Sequence, residues 1–287
     1  MKHLNTYITE YIIKKKLDKP IDSSGYKYHP QTKQELINNI DELLKLNIHD
    51  FNCIDTSAIT DMSKLFSNKI IDFNDIDVSG WDVSNVENMN CMFLGSYYFN
   101  CDLSKWDVSK VKDMRYMFHS CENFDCDLSK WDVSNVENMN GMFHECFKFK
   151  GKGLENWDVS NVTNMAYMFS NCENLNCDLS KWDVSKVTNM CGIFNYCKNF
   201  NIDFSKWNVS KVKDMSYAFN DCKNFKGNGL ENWNVSNVTN MTSMFTDCKK
   251  LNCDLNNWDV SSVTKMYDIF NNCTSLKNKP SWYKENI

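Results

Sequence analysis

Tryptophan recurs in this chain with a period that hardly varies: Trp81, Trp106, Trp131, Trp157, Trp182, Trp207, Trp233 and Trp258 lie 25, 25, 26, 25, 25, 26 and 25 residues apart. A unit of that length cannot enclose an apolar core of its own. It must share one with the units before and after it, so the chain is restricted to a stack of coils. The clearest copy runs from Trp157 to Lys181, WDVSNVTNMAYMFSNCENLNCDLSK.

Apolar spacing changes character halfway through that copy. Val162, Met165, Met168 and Phe169 are separated by threes and fours, which predicts one or two helical turns with Ser160 as N-cap. Leu175, Cys177 and Leu179 alternate with polar residues, which predicts a short half-buried strand. The expected fold is an α/β repeat solenoid with one short parallel strand and one short helix per coil of about 25 residues. Its expected repeat core comprises Trp106, Trp131, Trp157, Trp182, Trp207 and Trp233, with Met165, Phe169, Cys172, Leu175, Cys177 and Leu179 of the reference copy.

Three regions are expected. Residues 1–50 do not repeat. Leu4, Tyr7, Ile8, Tyr11 and Ile12 have helical spacing, and Thr32 with Glu35 forms a capping-box pattern ahead of an apolar face of Leu36, Ile37, Ile40, Leu43 and Leu44. That second helix suits the open end of a stack. Residues 51–273 make about nine coils, the first a worn copy from Ile54 to Phe66, and residues 274–287 make a C-terminal cap that keeps only Leu276 and Trp282 of the pattern.

A formal net charge of −5 argues against nucleic acid or an anionic membrane as partner. No apolar run approaches the roughly 20 residues of a membrane span, and the N-terminal segment reads poorly as an export signal. A cytoplasmic location is therefore expected. The 14 cysteines follow the repeat, seven of them (Cys121, Cys146, Cys172, Cys197, Cys222, Cys248 and Cys273) at a single coil position. They read as small reduced core residues and not as a disulfide framework.

Two features invite a search for chemistry. The 26-residue coils carry FKGKGLENW and FKGNGLENW, 76 residues apart, and their glycines fall where a strand is expected, which suggests a bulge or bend. FHSC and FHEC place His119, Cys121, His144 and Cys146 one coil apart, a zinc-like set; residues two apart on a helical turn would nonetheless point in different directions. The recurring Asp82, Asp107, Asp132, Asp158, Asp183 and Asp259 give way to Asn208 and Asn234, as residues that serve a turn would. No catalytic constellation, metal site or cofactor is expected.

The string WDVSNVTNMxxMFxxCxxLNxDLSxW resembles the repeat of BspA-like leucine-rich-repeat proteins from about Ile54 to Trp282. In those terms Cys172, Leu175 and Cys177 take the strand positions. The resemblance implies a curved solenoid with a parallel sheet on one face, used to bind proteins or host surfaces. Together these readings predict a monomeric, non-enzymatic scaffold for a protein or peptide, with a surface adhesin exported by an unrecognised route as the alternative. The ligand-binding residues are not legible.

Overall fold

The computed structural model describes residues 21–67 and 76–284. The helical spacing from Leu4 to Ile12 lies outside these residues.

Helix α1 spans Lys33–Lys45. Thr32 accepts from the Glu35 backbone N–H while the Glu35 carboxylate accepts from that of Thr32, so two of the donors a helix start leaves open are satisfied. Leu36, Ile40 and Leu43 are fully or almost fully buried, and they join the same core as Phe51, Ile54 and Met62. The apolar stripe of α1 thus covers the first coils.

From there the chain departs from the expected fold. Among the described residues the coils contain neither a helix nor a strand: beyond α1 there are only two short 3-10 turns, Leu154–Asn156 and Leu230–Asn232, and isolated parallel bridges. The α/β solenoid with a strand and a helix in every coil is therefore incorrect. In the reference coil the threes and fours are spans of β-turns. The N–H groups of Val162, Met168, Cys172 and Leu175 donate to the carbonyls of Val159, Met165, Phe169 and Cys172, each three residues back. A helix would need each N–H to reach four residues back, and Tyr167 and Asn171, with φ of 55° and 62°, break any such run. Ser160 is not a helix cap: its backbone N–H donates to Asp158 Oδ1 at 3.0 Å, closing an Asx turn.

The peptide groups not used in turns join the coils. Met165, Tyr167, Phe169 and Asn171 donate to the carbonyls of Asn189, Cys191, Ile193 and Asn195 in the next coil, at 2.7 to 3.0 Å. A single bridge per interface marks this ladder, running from Asp61 through Asn88, Asp113, Asn138, Asn164, Asn189, Asp214 and Asn240 to Lys265. The alternation of Leu175, Cys177 and Leu179 does not form the expected strand. Leu175 and Leu179 are buried and Cys177 is half-buried, on a connection without bridges.

Side chains stack in the same register. Phe66, Phe93, Phe118, Phe143, Phe169, Phe194, Phe219, Phe245 and Phe270 form a column with ring centroids 5.4 to 5.8 Å apart. Stacked tryptophans are spaced 6.3 to 6.5 Å, as for Trp106, Trp131, Trp157 and Trp182. Each indole of the repeat also donates to a carbonyl of the preceding coil, such as Trp157 Nε1 to Leu128 at 3.2 Å and Trp182 Nε1 to Leu154 at 2.8 Å. A buried ring that also needs an acceptor explains why Trp holds the position. Hydrogen-bonded backbones in register lie about 4.8 Å apart.

A candidate binding face on the ladder

Side chains on the ladder segment alternate between core and solvent. In the reference coil Met165, Met168, Phe169 and Cys172 face inward with relative exposure at or near zero, whereas Tyr167 and Asn171 occupy the left-handed positions and face out. The outward positions hold Tyr116, Tyr167, Tyr196 and Tyr217, together with His119 and His144. Tyr116 meets His119 edge-on at 5.6 Å, His119 meets His144 at 4.5 Å and His144 stacks on Tyr167 at 6.0 Å. Tyr167 Oη accepts from the Cys191 thiol, and the Ser216 hydroxyl in turn donates to Cys191 Sγ. From Tyr116 to Tyr217 the line crosses four coil steps, roughly 20 Å along the ladder.

Local backbone geometry builds this line. Glycine at position 141, φ +59°, sits under the Tyr116 ring, where an added Cβ would come within 2.4 Å of two ring carbons. The ring lies flat over the next coil because that coil has no side chain there, and Gly192 serves Tyr167 in the same way. Between the two histidines lies Glu145, whose carboxylate oxygens are 3.8 Å from Nε2 of His119 and of His144 and which also accepts from the Ser120 hydroxyl at 2.6 Å. Partial burial holds the His119 imidazole below its ordinary pKa; burial and then the neighbouring His119 do the same to His144. Both rings are disposed to be neutral near pH 7, and His119 Nδ1 is buried without a partner among the described residues.

The FHSC and FHEC pairs do not converge. Cys121 and Cys146 lie in the core, their thiols donating to the carbonyls of Phe93 and Phe118 at 3.2 and 3.1 Å, while the imidazoles lie on the outer side of the backbone. No group of three or more His, Cys, Asp or Glu among the described residues could hold a metal ion. Thiols of Cys172, Cys197, Cys222, Cys248 and Cys273 make the same bond to the preceding coil, and all 14 cysteines are free. The recurring aspartates close turns: Asp107, Asp132 and Asp183 accept from the N–H of Ser109, Ser134 and Ser185, and Asn208 and Asn234 do the same for Ser210 and Ser236. One carbonyl-type oxygen is all the turn requires, so Asn serves as well as Asp.

The glycine-bearing coils hold no strand bulge. Gly153, φ +94°, starts the 3-10 turn that absorbs the extra residue, and an added Cβ would approach the Ser129 backbone N within 2.2 Å. The indole ring positions Trp106, Trp131, Trp157, Trp182, Trp207 and Trp233 are all buried. The tyrosine line was missed in the sequence because its members look like ordinary variable residues. A usable signal was present, namely aromatic residues alternating with glycine at the second position after the conserved-phase methionine: Tyr116, Gly141, Tyr167, Gly192, Tyr217.

The chain belongs to the family described as Mycoplasma protein of unknown function, DUF285, whose model matches residues 34–152, 142–228 and 203–287. No curated protein matches it. Among solved structures, a crystal structure of a TLR13–ssRNA13 complex is similar over 85% of this chain and 48% of that one, at 13% identity and a TM-score of 0.17, too low to carry a structural inference. No helix of the described residues is long and apolar enough to cross a membrane.

Proposed function

We propose that the protein is a non-enzymatic interaction scaffold that binds a protein or peptide along its ladder face. One observation carries this reading: Tyr116, His119, His144, Tyr167 and Tyr217 are placed outside the core along the ladder, where a turn-built backbone fixes their spacing. Tyrosine offers large contact area with few torsions to freeze, and the Asn, Ser and Thr residues around it offer adaptable hydrogen bonds. The resemblance of the motif to BspA-like repeats points the same way.

The test compares two folded variants. One carries Tyr116→Ala, His144→Ala, Tyr167→Ala and Tyr217→Ala; the other carries Lys105→Ala, Lys130→Ala and Lys206→Ala, three exposed lysines beside the Trp column. Affinity capture from the source cells with quantitative mass spectrometry should show partners retained by the lysine variant and lost by the tyrosine variant. Equal retention by both would remove the ladder face as the binding surface.

A further inference from the structure

Beyond the ladder each coil buries one more apolar residue, and in the early coils this is Phe99, Phe124 and Phe149, all with zero exposure. The residues just before this position, Tyr98, Asn123, Lys148 and Asn174, form one rail along the stack. Those just after it, Asn100, Asp125 and Lys150, form a second. The two rails line an open groove of about 520 Å³, a size typical of small-ligand sites. Between the rails the buried rings step from coil to coil by 6.4 and 5.5 Å, close to the length of one pyranose ring.

The groove differs from the rest of its rail in how much hydrogen-bonding capacity is unspent. Farther along, Asn199 Nδ2 donates to the Glu173 carbonyl at 3.0 Å, Asn224 Nδ2 to Asn199 Oδ1 at 3.3 Å and Lys250 Nζ to Asn224 Oδ1 at 2.6 Å. In the groove the Asn123 amide, the Lys148 ammonium and the Tyr98 hydroxyl have no protein partner among the described residues. Asn174 Nδ2 donates to the Phe147 carbonyl and leaves its Oδ1 open; Asn100 Oδ1 accepts from the Asp125 N–H and the Cys126 thiol and leaves its NH2 open. The Tyr98 ring, 53% exposed, stacks on no other ring among the described residues.

These groups select a class of ligand. Amides that both donate and accept suit hydroxyl groups, which also do both. An uncovered aromatic ring suits the C–H face of a sugar, whose positive hydrogens meet the negative face of the π system. A polyanion fits poorly, because the Lys150 ammonium is paired with Asp125, which leaves Lys148 as the one unpaired cation of the groove, and the Asp125 carboxylate lines the same walls. An added peptide strand finds little edge to bind, since the N–H groups of Asn123, Asp125, Lys148 and Lys150 are all bonded to the preceding coil. We propose that this groove is a saccharide-binding site, with Tyr98 as the stacking platform and Asn123 and Lys148 as the side chains that read the hydroxyl groups. The inference does not rest on the ladder-face reading.

The experiment presents the labelled full chain to an array of immobilised glycans covering neutral hexoses, N-acetylhexosamines and carboxylate-bearing sugars, and titrates each retained glycan in solution by calorimetry. A restricted set should bind, and Tyr98→Ala and the pair Asn123→Ala, Lys148→Ala should each weaken it at least about tenfold. Thermal melts matching the parent chain establish that these variants are folded. A chain carrying Tyr116→Ala and Tyr167→Ala on the ladder face should bind the same glycans unchanged. An array on which nothing is retained overturns the proposal, as does a Tyr98→Ala chain that binds as well as the parent. Competition by polyglutamate as strong as by the glycan would reduce the groove to a charge site, and loss of binding in the ladder variant would place the sugar elsewhere; either outcome also overturns it.

Discussion

A cysteine such as Cys172 meets two demands at once: the side chain must fit between neighbouring coils with no exposure, and it must donate to a carbonyl, here Phe143 at 3.0 Å. Valine would meet only the first. Burial pushes the thiols of Cys121, Cys146, Cys172, Cys197, Cys222 and Cys248 far above their ordinary value of 9.0. The unfolded chain therefore releases these protons near pH 9 while the folded chain retains them, so stability is fully present below pH 9 and falls above it, by up to about 1.4 kcal/mol per pH unit per thiol. Urea midpoints measured from pH 8 to 10.5 should show a steep decline, shallower in a Cys172→Ser, Cys197→Ser chain; a flat profile would contradict the buried column. Glycines give a sharper local contrast. Gly153→Ala drives a Cβ into the backbone of Ser129 and should cost about 3 kcal/mol or more, whereas Gly141→Ala meets only a movable tyrosine ring at a left-handed position that Tyr, Ser and Asp occupy in other coils, and should cost about 1. Chemical denaturation of the two variants decides it.

Elements were legible where one local code has one outcome. Thr32, Glu35 and the stripe of Leu36, Ile40 and Leu43 specify a capped amphipathic helix and nothing else, and α1 is there. Thr32→Ala should cost about 1 kcal/mol in thermal melts. The coil code has two outcomes, because apolar residues at i, i+3, i+6 and i+7 fit both a helical face and a run of β-turns. What separates them is the left-handed backbone at Tyr167 and Asn171, an outcome of stacking that no side-chain pattern announces. A pair of substitutions distinguishes the two structures directly. Were Ser160 a helix cap, its hydroxyl would be the group that closes the first turn; in the Asx turn the backbone bond runs from its N–H to Asp158, whose carboxyl the Ser160 hydroxyl also holds below its ordinary pKa. Asp158→Ala, which removes the acceptor of both, should cost about 1 kcal/mol, and Ser160→Ala, which keeps the N–H bond, should cost less.

At the level of the whole chain the period of 25 residues carried most of the information, since it fixed the stacking, the columns and the register without fixing the conformation inside a coil. The proposed binding face stayed hidden because exposure, unlike period, depends on which side of the turn each residue takes. Stacking in register makes one further outcome expected. Removing Asp132 through Trp207 joins Trp131 to Asn208, keeps both ends of the stack and should leave a cooperative, less stable fold, while removal of half a coil sets apolar positions against turns and should aggregate. Calorimetry and size exclusion of the two chains separate these outcomes.

The interface bonds also run along the long axis, so a load applied at the two ends stretches every interface in series and each bears the full force. Within an interface the backbone bonds share that force, but no interface relieves another. Such a body yields one coil at a time, starting from whichever end is weaker, and each release lengthens the chain by about 80 to 90 Å, the span of 25 extended residues. Under tension the stack is expected to give length in steps of one coil while the remaining coils hold, which force spectroscopy would read as evenly spaced extensions.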